Sequence, residues 1–185
     1  MESLKSGWKP GATALIFVLI SALIFALAAC SPTLNWRDVR PADSGASALF
    51  PCKPDRFTRS FVLGGEKLQM VLNSCAAGDV TYALSHAKLA VATRVNPVLE
   101  AMQSAAAGNL GGTATLVSAL VVPGMAPHPI TQRWAVQGKR ADGTALYQQF
   151  GVLTRGLHVY QATVVGHSLD PVAADTFFGS LQLTQ

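Results

Sequence analysis

The sequence predicts an α+β fold: an antiparallel sheet of about six to eight strands with two helices packed on it, after an N-terminal signal or anchor segment. Most of the chain after residue 47 alternates apolar and polar residues, which is typical of strands. Glycine-containing turns join these stretches, so neighbouring strands should run antiparallel. Two stretches have helical spacing instead and must cover a face of the sheet.

The first 29 residues have the composition of an export signal. Lys5 and Lys9 precede an apolar run, residues 12–29, that holds no charged side chain. A signal core usually has about 7–15 apolar residues and a membrane-spanning helix about 20, so length alone does not separate the two. The basic flank predicts the same orientation in both cases, with the chain after the run outside the cytoplasm.

The end of the run, Leu27-Ala28-Ala29-Cys30, resembles the lipobox of bacterial lipoproteins. The resemblance implies a diacylglyceryl thioether on the Cys30 sulfur, cleavage after Ala29, and acylation of the new amino group by a chain such as palmitate. Three such chains hold a protein durably, whereas one holds it only marginally. The alternative is an uncleaved signal anchor in which Cys30 is incidental.

The lipobox predicts a location in the bacterial cell envelope, anchored to the membrane by lipid and facing the periplasm. Related lipoproteins tend to stay in the inner membrane when Asp follows the cysteine. This chain has Ser31 there, which favours the outer membrane. The predicted division is a signal peptide over 1–29, a tether over 30–46, and a single α+β domain over 47–185.

Removing 29 of the 185 residues leaves 156, which fits one domain.

Charge gives no indication of nucleic-acid binding. The full chain has a formal net charge of +4, and its basic residues do not form a stripe. Nucleic-acid-binding proteins usually show such a stripe or a recognisable motif. The membrane, reached through the lipid, and an unidentified envelope protein are therefore the expected partners.

Two cysteines, Cys52 and Cys75, remain once Cys30 is assigned to lipid. An even pair in an exported domain predicts a disulfide, because the periplasm is oxidising. The alternative is two separate buried thiols. Two cysteines without paired His or Cys at short spacing do not make a zinc site.

The elements follow from periodicity and turn residues. A first helix is predicted over 97–107 with Asn96 as its cap, and a second over 171–178 with Asp170 as its cap. Strands are predicted over 48–50, 57–63, 67–74, 80–90, 113–122, 131–137, 145–154, 157–165 and around 181–183. The strand 157–165 has neither charge nor proline, so we expect it at the centre of the sheet. Its two faces should carry Val159 and Gln161 on one side, and Tyr160 and Val164 on the other.

The mature chain is similar in layout to small uncharacterised bacterial exported domains of the PsbP/Mog1-like group. The likeness rests on the segment 49–54, a strand pair, the mid-chain helix, the strand 157–166 and the final helix ending in Phe177-Phe178-Gly179-Ser180-Leu181. It spans most of residues 47–184 as a pattern of apolar positions and turns. The resemblance implies a fold but carries no catalytic residue.

No catalytic or metal-binding motif stands out. The histidines, His86, His128, His158 and His167, have no ligand spacing, and no GxSxG elbow is present. We therefore expect no enzyme, no catalytic residue, no metal and no cofactor. The leading hypothesis is a non-catalytic interaction or accessory module. The alternative is a small-molecule or lipid binder, or a divergent enzyme, with a pocket between sheet and helix. Aromatic residues that could line it are Trp134, Tyr147, Phe150 and Tyr160.

Overall fold

The computed structural model describes residues 34–140 and 142–184. Cys30 and the whole predicted signal segment lie outside the described residues. The α+β class is confirmed, with a seven-stranded antiparallel sheet, a second sheet of three strands and two helices. The strands are β1 Arg37–Val39, β2 Ala46–Phe50, β3 Asp55–Leu63, β4 Glu66–Ala77, β5 Val80–Lys88, β6 Thr115–Ala119, β7 Gln132–Lys139, β8 Ala145–Arg155, β9 His158–Gly166 and β10 Gln182–Leu183. The helices are α1 Val95–Gly108 and α2 Pro171–Gly179, and a 3-10 turn, Ala92–Arg94, precedes α1.

Strand β9 lies at the centre of the main sheet, as its sequence predicts. The order is β3-β4-β5-β9-β8-β7-β6, which puts three strands on either side of it. β8 is its hairpin partner across the turn, with Arg155 opposite His158. β5 is its other neighbour, and Lys88 lies opposite His158 on that side.

The two faces of β9 pack against different elements. Tyr160, Ala162 and Val164 are in a core shared with α2 and the small sheet, including Phe177 of α2. Val159 is in a second core under α1, with Val98 and Leu99 of that helix. Because other elements cover β9 on both sides, each of its faces contributes to an apolar core. The predicted division of the strand into two faces is therefore confirmed.

One of the two predicted helix caps is correct. Asp170 Oδ1 accepts a hydrogen bond from the Val172 backbone at 3.0 Å, and Pro171 occupies the first turn of α2. Asn96 does not cap α1, because the 3-10 turn runs directly into the helix and Arg94 occupies the cap position without a side-chain bond. The Asn96 Oδ1 atom lies 3.2 Å from Nε2 of His128 instead.

The folded part begins earlier than the expected boundary at residue 47. The Asn35 backbone donates to the Pro51 oxygen at 2.7 Å, and β1 pairs with β2 inside the stretch assigned to the tether. Trp36 packs edge-on against Tyr82. A three-residue strand is too short for its periodicity to be recognised, which is why the sequence indicated a tether here.

The predicted disulfide between Cys52 and Cys75 is present, with 5.9 Å between the two Cα atoms. It joins the segment between β2 and β3 to β4, the strand next to the edge of the main sheet. Cys75 is buried in the core shared with α2. The bond therefore fixes the small sheet and the first edge strand, β3, to the same core.

Candidate functional site

The main sheet has two edges, and they differ in form. β6, at one edge, has five residues, and its register with β7 shifts between Leu116 and Ser118. β3, at the other edge, has nine residues that pair with β4 in unbroken register, from Asp55 opposite Ser74 to Leu63 opposite Glu66. Short length and bulges are ordinary ways of closing a sheet edge to further pairing. β6 has both, and β3 has neither.

The side chains of β3 are exposed along almost its whole length. Phe57 and Phe61 are each 45% exposed, and Val62 is 72% exposed. Alternate residues share a face, so Phe57, Arg59 and Phe61 lie on the side that carries α1. In the part of the chain that the structure describes, Arg59 makes no ion pair. The edge therefore presents two aromatic rings with an uncompensated cation between them.

A groove of about 270 Å³ lies between this edge and helix α1. Arg59 and Phe61 form its outer wall, and Met102 and Ala105 form its helical wall. Met70 and Leu72 of β4 lie at its floor. Unbranched methionines adapt to different neighbours more readily than branched residues do. The groove is therefore an apolar surface beside the exposed aromatic rings.

The turn between β3 and β4 is fixed to the start of α1. Gly64 has a φ of +57°, and a Cβ added to it would lie 2.6 Å from the Pro97 backbone carbon. On the other side of the turn, Glu66 Oε2 and Arg94 Nε form an ion pair at 3.1 Å. The helix thus holds the far end of the β3 edge in place, while the disulfide holds the segment before its near end.

A polar cluster lies inside the opposite face of the sheet. His86 is buried, and its Nε2 has no hydrogen-bond partner among the described residues. The rings of His86 and His158 both lie near Tyr160, with centroids 6.5 and 6.2 Å from the Tyr160 ring. Burial lowers the pKa of His86, and the positive charges of Arg56 and His158 lower it further, while Asp43 acts in the opposite sense.

The pKa values of the other two residues of the cluster, His158 and Tyr160, are also shifted by burial. Burial, and then the charge of Lys88, lower the pKa of His158. Burial raises the pKa of Tyr160. The Tyr160 hydroxyl donates to the Ser44 backbone oxygen at 2.6 Å. Burial therefore disfavours the charged form of all three rings, and the one hydroxyl of the cluster is bonded to the backbone.

A wide, open cleft lies on the β6 side of the sheet. It has a volume of about 670 Å³, and Gln137, Tyr147, Gln149 and His167 are among its lining residues. The Nδ1 atom of His167 is 3.0 Å from the Ala145 oxygen, so the backbone of β8 occupies that nitrogen. Gln149 accepts from Arg133 at 2.7 Å. The polar groups of this cleft are thus largely engaged with the fold.

The four aromatic residues suggested for a pocket do not converge. Phe150 and Tyr160 are 0% and 1% exposed, so both are core residues. Trp134 packs beside Phe150 near the end of α1. Of the four, Tyr147 alone lines the open cleft on the β6 side of the sheet.

Over 34–140 and 142–184, no three His, Cys, Asp or Glu side chains are grouped so as to hold a metal ion. Within the same ranges no helix has the length and apolarity needed to cross a bilayer.

The β3 edge was not recognised from the sequence. Residues 57–63 predicted a strand, but alternation does not tell a central strand from an edge strand. The signal that was available is Arg59. It is a charged residue among the apolar residues on its face of the strand, and edge strands often carry such a charge.

Comparison with known proteins gave no relative. A scan against protein-family models found no match, and a search of curated proteins found none. The likeness to PsbP/Mog1-like domains and the lipobox stay predictions from the sequence.

Proposed function

We propose that this protein is a non-catalytic lipoprotein of the bacterial cell envelope, held at the membrane by lipid on Cys30 and facing the periplasm. Its domain acts as an interaction module, and β3 is the surface that contacts the partner. The lipobox supports the anchor. The exposed aromatic edge supports the module.

The single observation that carries the interaction role is the exposure of Phe57 and Phe61 on the same face of an edge strand. Burying apolar surface stabilises a complex by about 25 cal/mol per Å² before the costs of association. Aromatic residues are also enriched where interfaces carry most of their binding energy. The apolar groove beside Phe61 extends the surface that a partner could cover.

The module is tested by placing a photo-crosslinking amino acid at Phe61 in cells that make the full chain. Val172 of α2, which is 73% exposed, is the matched control because it is an apolar residue away from the β3 edge. We expect a defined crosslinked species from position 61 and none from position 172. Equal crosslinking at both positions, or none at either, would contradict a dedicated surface on β3.

The anchor is tested by feeding the cells a fatty-acid analogue. We expect label on the wild-type protein and none on Cys30→Ala, with the labelled protein in the outer-membrane fraction. Label of equal strength on the variant would remove Cys30 from the proposal. An intact Met1 terminus on the mature protein would remove the cleavage step.

A lipid-binding role is the alternative, and the groove between α1 and the sheet favours it. Met70, Leu72 and Met102 give that groove an apolar lining. Ala105→Trp should fill it. If binding of a fluorescent fatty acid to the purified chain is saturable and Ala105→Trp abolishes it, the alternative gains over the interaction module.

A further inference from the structure

Strand β3 has an unused hydrogen-bonding edge. It pairs with β4 along its full length, so the N–H and C=O groups of alternate residues point away from the sheet on its other side. Eight of its nine residues are exposed, and among the described residues no element covers that side. The strand contains no proline and no lysine, two residues that commonly block such an edge.

We propose that an extended segment of a partner protein adds to β3 as an eighth strand of the main sheet. This segment carries an acidic residue flanked at alternate positions by two apolar residues. This inference rests on the interaction role proposed above and names the kind of partner. The backbone of β3 calls for an extended chain, because only a strand can satisfy its outward groups in series.

The side chains of β3 specify the pattern. Residues directly opposite each other in neighbouring strands have Cβ atoms about 4.5–5.5 Å apart and interact in pairs. Phe57 and Phe61 would lie opposite apolar residues. Arg59, between them on the same face, would lie opposite the acid and gain the partner that the described chain does not supply.

A second copy of the chain fits this edge less well. The two-fold arrangement that pairs all nine residues of β3 puts Arg59 directly opposite Arg59, since it matches Asp55 with Leu63. Like charges opposite each other are destabilising. Registers that avoid this contact pair fewer residues of β3.

The probe is a synthetic peptide, Thr-Phe-Thr-Glu-Thr-Phe-Thr, with a fluorophore at one end and both ends blocked. Its sequence is palindromic, so either strand direction gives the same pattern. A second peptide has Lys in place of Glu. Binding of both to the full chain in detergent is followed by fluorescence anisotropy, with wild type, Arg59→Glu and Leu116→Glu compared. Leu116 lies on β6, the other edge, and is the control.

We expect the wild type to bind the Glu peptide roughly tenfold more tightly than the Lys peptide, the size of a favourable pair plus an avoided repulsion. Arg59→Glu should reverse the preference, and Leu116→Glu should leave it unchanged. Reversal requires that the variant binds, so misfolding of Arg59→Glu cannot imitate it.

Backbone pairing is tested with two N-methylated forms of the Glu peptide. One is methylated on its even residues and the other on its odd residues. Only one of these sets faces β3 in an added strand. We therefore expect one form to lose at least roughly tenfold in affinity, by loss of several hydrogen bonds, and the other to bind like the parent.

Several results would overturn the inference. Equal affinity of the wild type for the Glu and Lys peptides would do so, as would equal effects of the two methylation patterns. The chain could instead fail to bind either peptide and form a dimer in sedimentation equilibrium. If Arg59→Glu then changes the dimerisation, β3 would be assigned to a second copy of the chain. Crosslinking from position 61 in cells without peptide binding would keep the interaction module and reject the added strand. Peptide binding without lipid on Cys30 would keep the added strand and reject the anchor.

Discussion

The hydroxyl of Tyr160 donates a hydrogen bond to the backbone oxygen of Ser44, 116 residues earlier in the chain, at 2.6 Å. The bond ties the central strand to the loop before β2. Tyr160→Phe leaves this buried oxygen without its donor, so we expect the free energy of unfolding to fall by about 1–3 kcal/mol. Tyr147→Phe, at a 39% exposed tyrosine, is the control and should change it by less than about 0.5 kcal/mol. Urea unfolding measures both, and equal effects would show that the Ser44 bond has no special weight.

The turn that ends β3 contains a matched pair of glycines. Gly64 and Gly65 both have positive φ, +57° and +77°, but only Gly64 lies against another backbone, that of Pro97. Gly65→Ala should cost about 1–2 kcal/mol from strain alone. Gly64→Ala should cost at least about 1 kcal/mol more, because the added methyl overlaps α1. Thermal unfolding of the two variants compares them directly, and a smaller effect at Gly64 would mean that α1 does not hold this turn.

The disulfide should contribute to stability mainly through the unfolded chain. Cys52 and Cys75 are 23 residues apart, and closing a loop of this size stabilises by about 3 kcal/mol in the chain-entropy model. We expect the double variant Cys52→Ala and Cys75→Ala to lose about that much in urea unfolding. Wild type with reducing agent should match it, and the double variant should not respond to the reagent. A response of the variant would point to an effect of the reagent unrelated to this bond.

Val164 is fully buried on the face of β9 that packs against α2. The buried cation on this side of the sheet, Arg133, is already bonded to Gln149 and Asp175, so an aspartate at position 164 would be a buried unpaired charge, which costs several kcal/mol. Domains have about 5–15 kcal/mol of stability in total. We therefore expect Val164→Asp to be unfolded or strongly destabilised by circular dichroism. Val172→Asp, on the exposed side of α2, should melt within a few degrees of wild type. Near-equal melting of the two would contradict the central position of β9.

Stability should fall as the solution becomes acidic, because of His86. The pKa of His86 in the folded state is below the ordinary 6.5. As the pH falls below about 6.5, the unfolded chain therefore binds a proton at this histidine before the folded chain does, which favours unfolding. The stabilisation is present above pH 6.5 and is lost as the pH falls, by about 1.4 kcal/mol for each unit of pKa difference. His158 shifts in the same direction and adds to the effect.

His86→Leu should therefore flatten the pH dependence. We expect its unfolding free energy to stay within about 1 kcal/mol of wild type at pH 7.5, because the buried Nε2 atom makes no bond that would be lost. Between pH 7.5 and 5 the variant should lose less stability than the wild type. Parallel curves for the two proteins would show that acid acts through other groups.

Local features of this fold could be predicted from the sequence. The Gly64-Gly65 turn and the Asp170 cap each follow from residue types whose chemistry decides a short stretch of backbone. The Cys52–Cys75 bond follows from cysteine pairing alone, once Cys30 is set aside. The central place of β9 could also be predicted, since a strand without charge or proline suits burial on both faces.

Features that depend on distant contacts could not be predicted. The periodicity of β3 is the same whether a neighbour covers it or not, so its open edge appears only once the strand order is known. Asn96 has the residue type of a cap, but the preceding 3-10 turn moves the helix start to Val95. The candidate site therefore depends on sheet order, which alternation in one sequence does not fix.

The order of the main sheet has a consequence for how the chain folds. Strands β3 to β5 form one meander and β6 to β9 form another, and the two join through the pairing of β5 with β9. Each meander can form from contacts close in sequence, but Lys88 must wait for His158, 70 positions later. Contacts of this separation slow folding, because loop entropy is lost before they form. As the chain is synthesised, β5 is therefore a second open edge until β9 has emerged, and the chain is prone to aggregation during that interval.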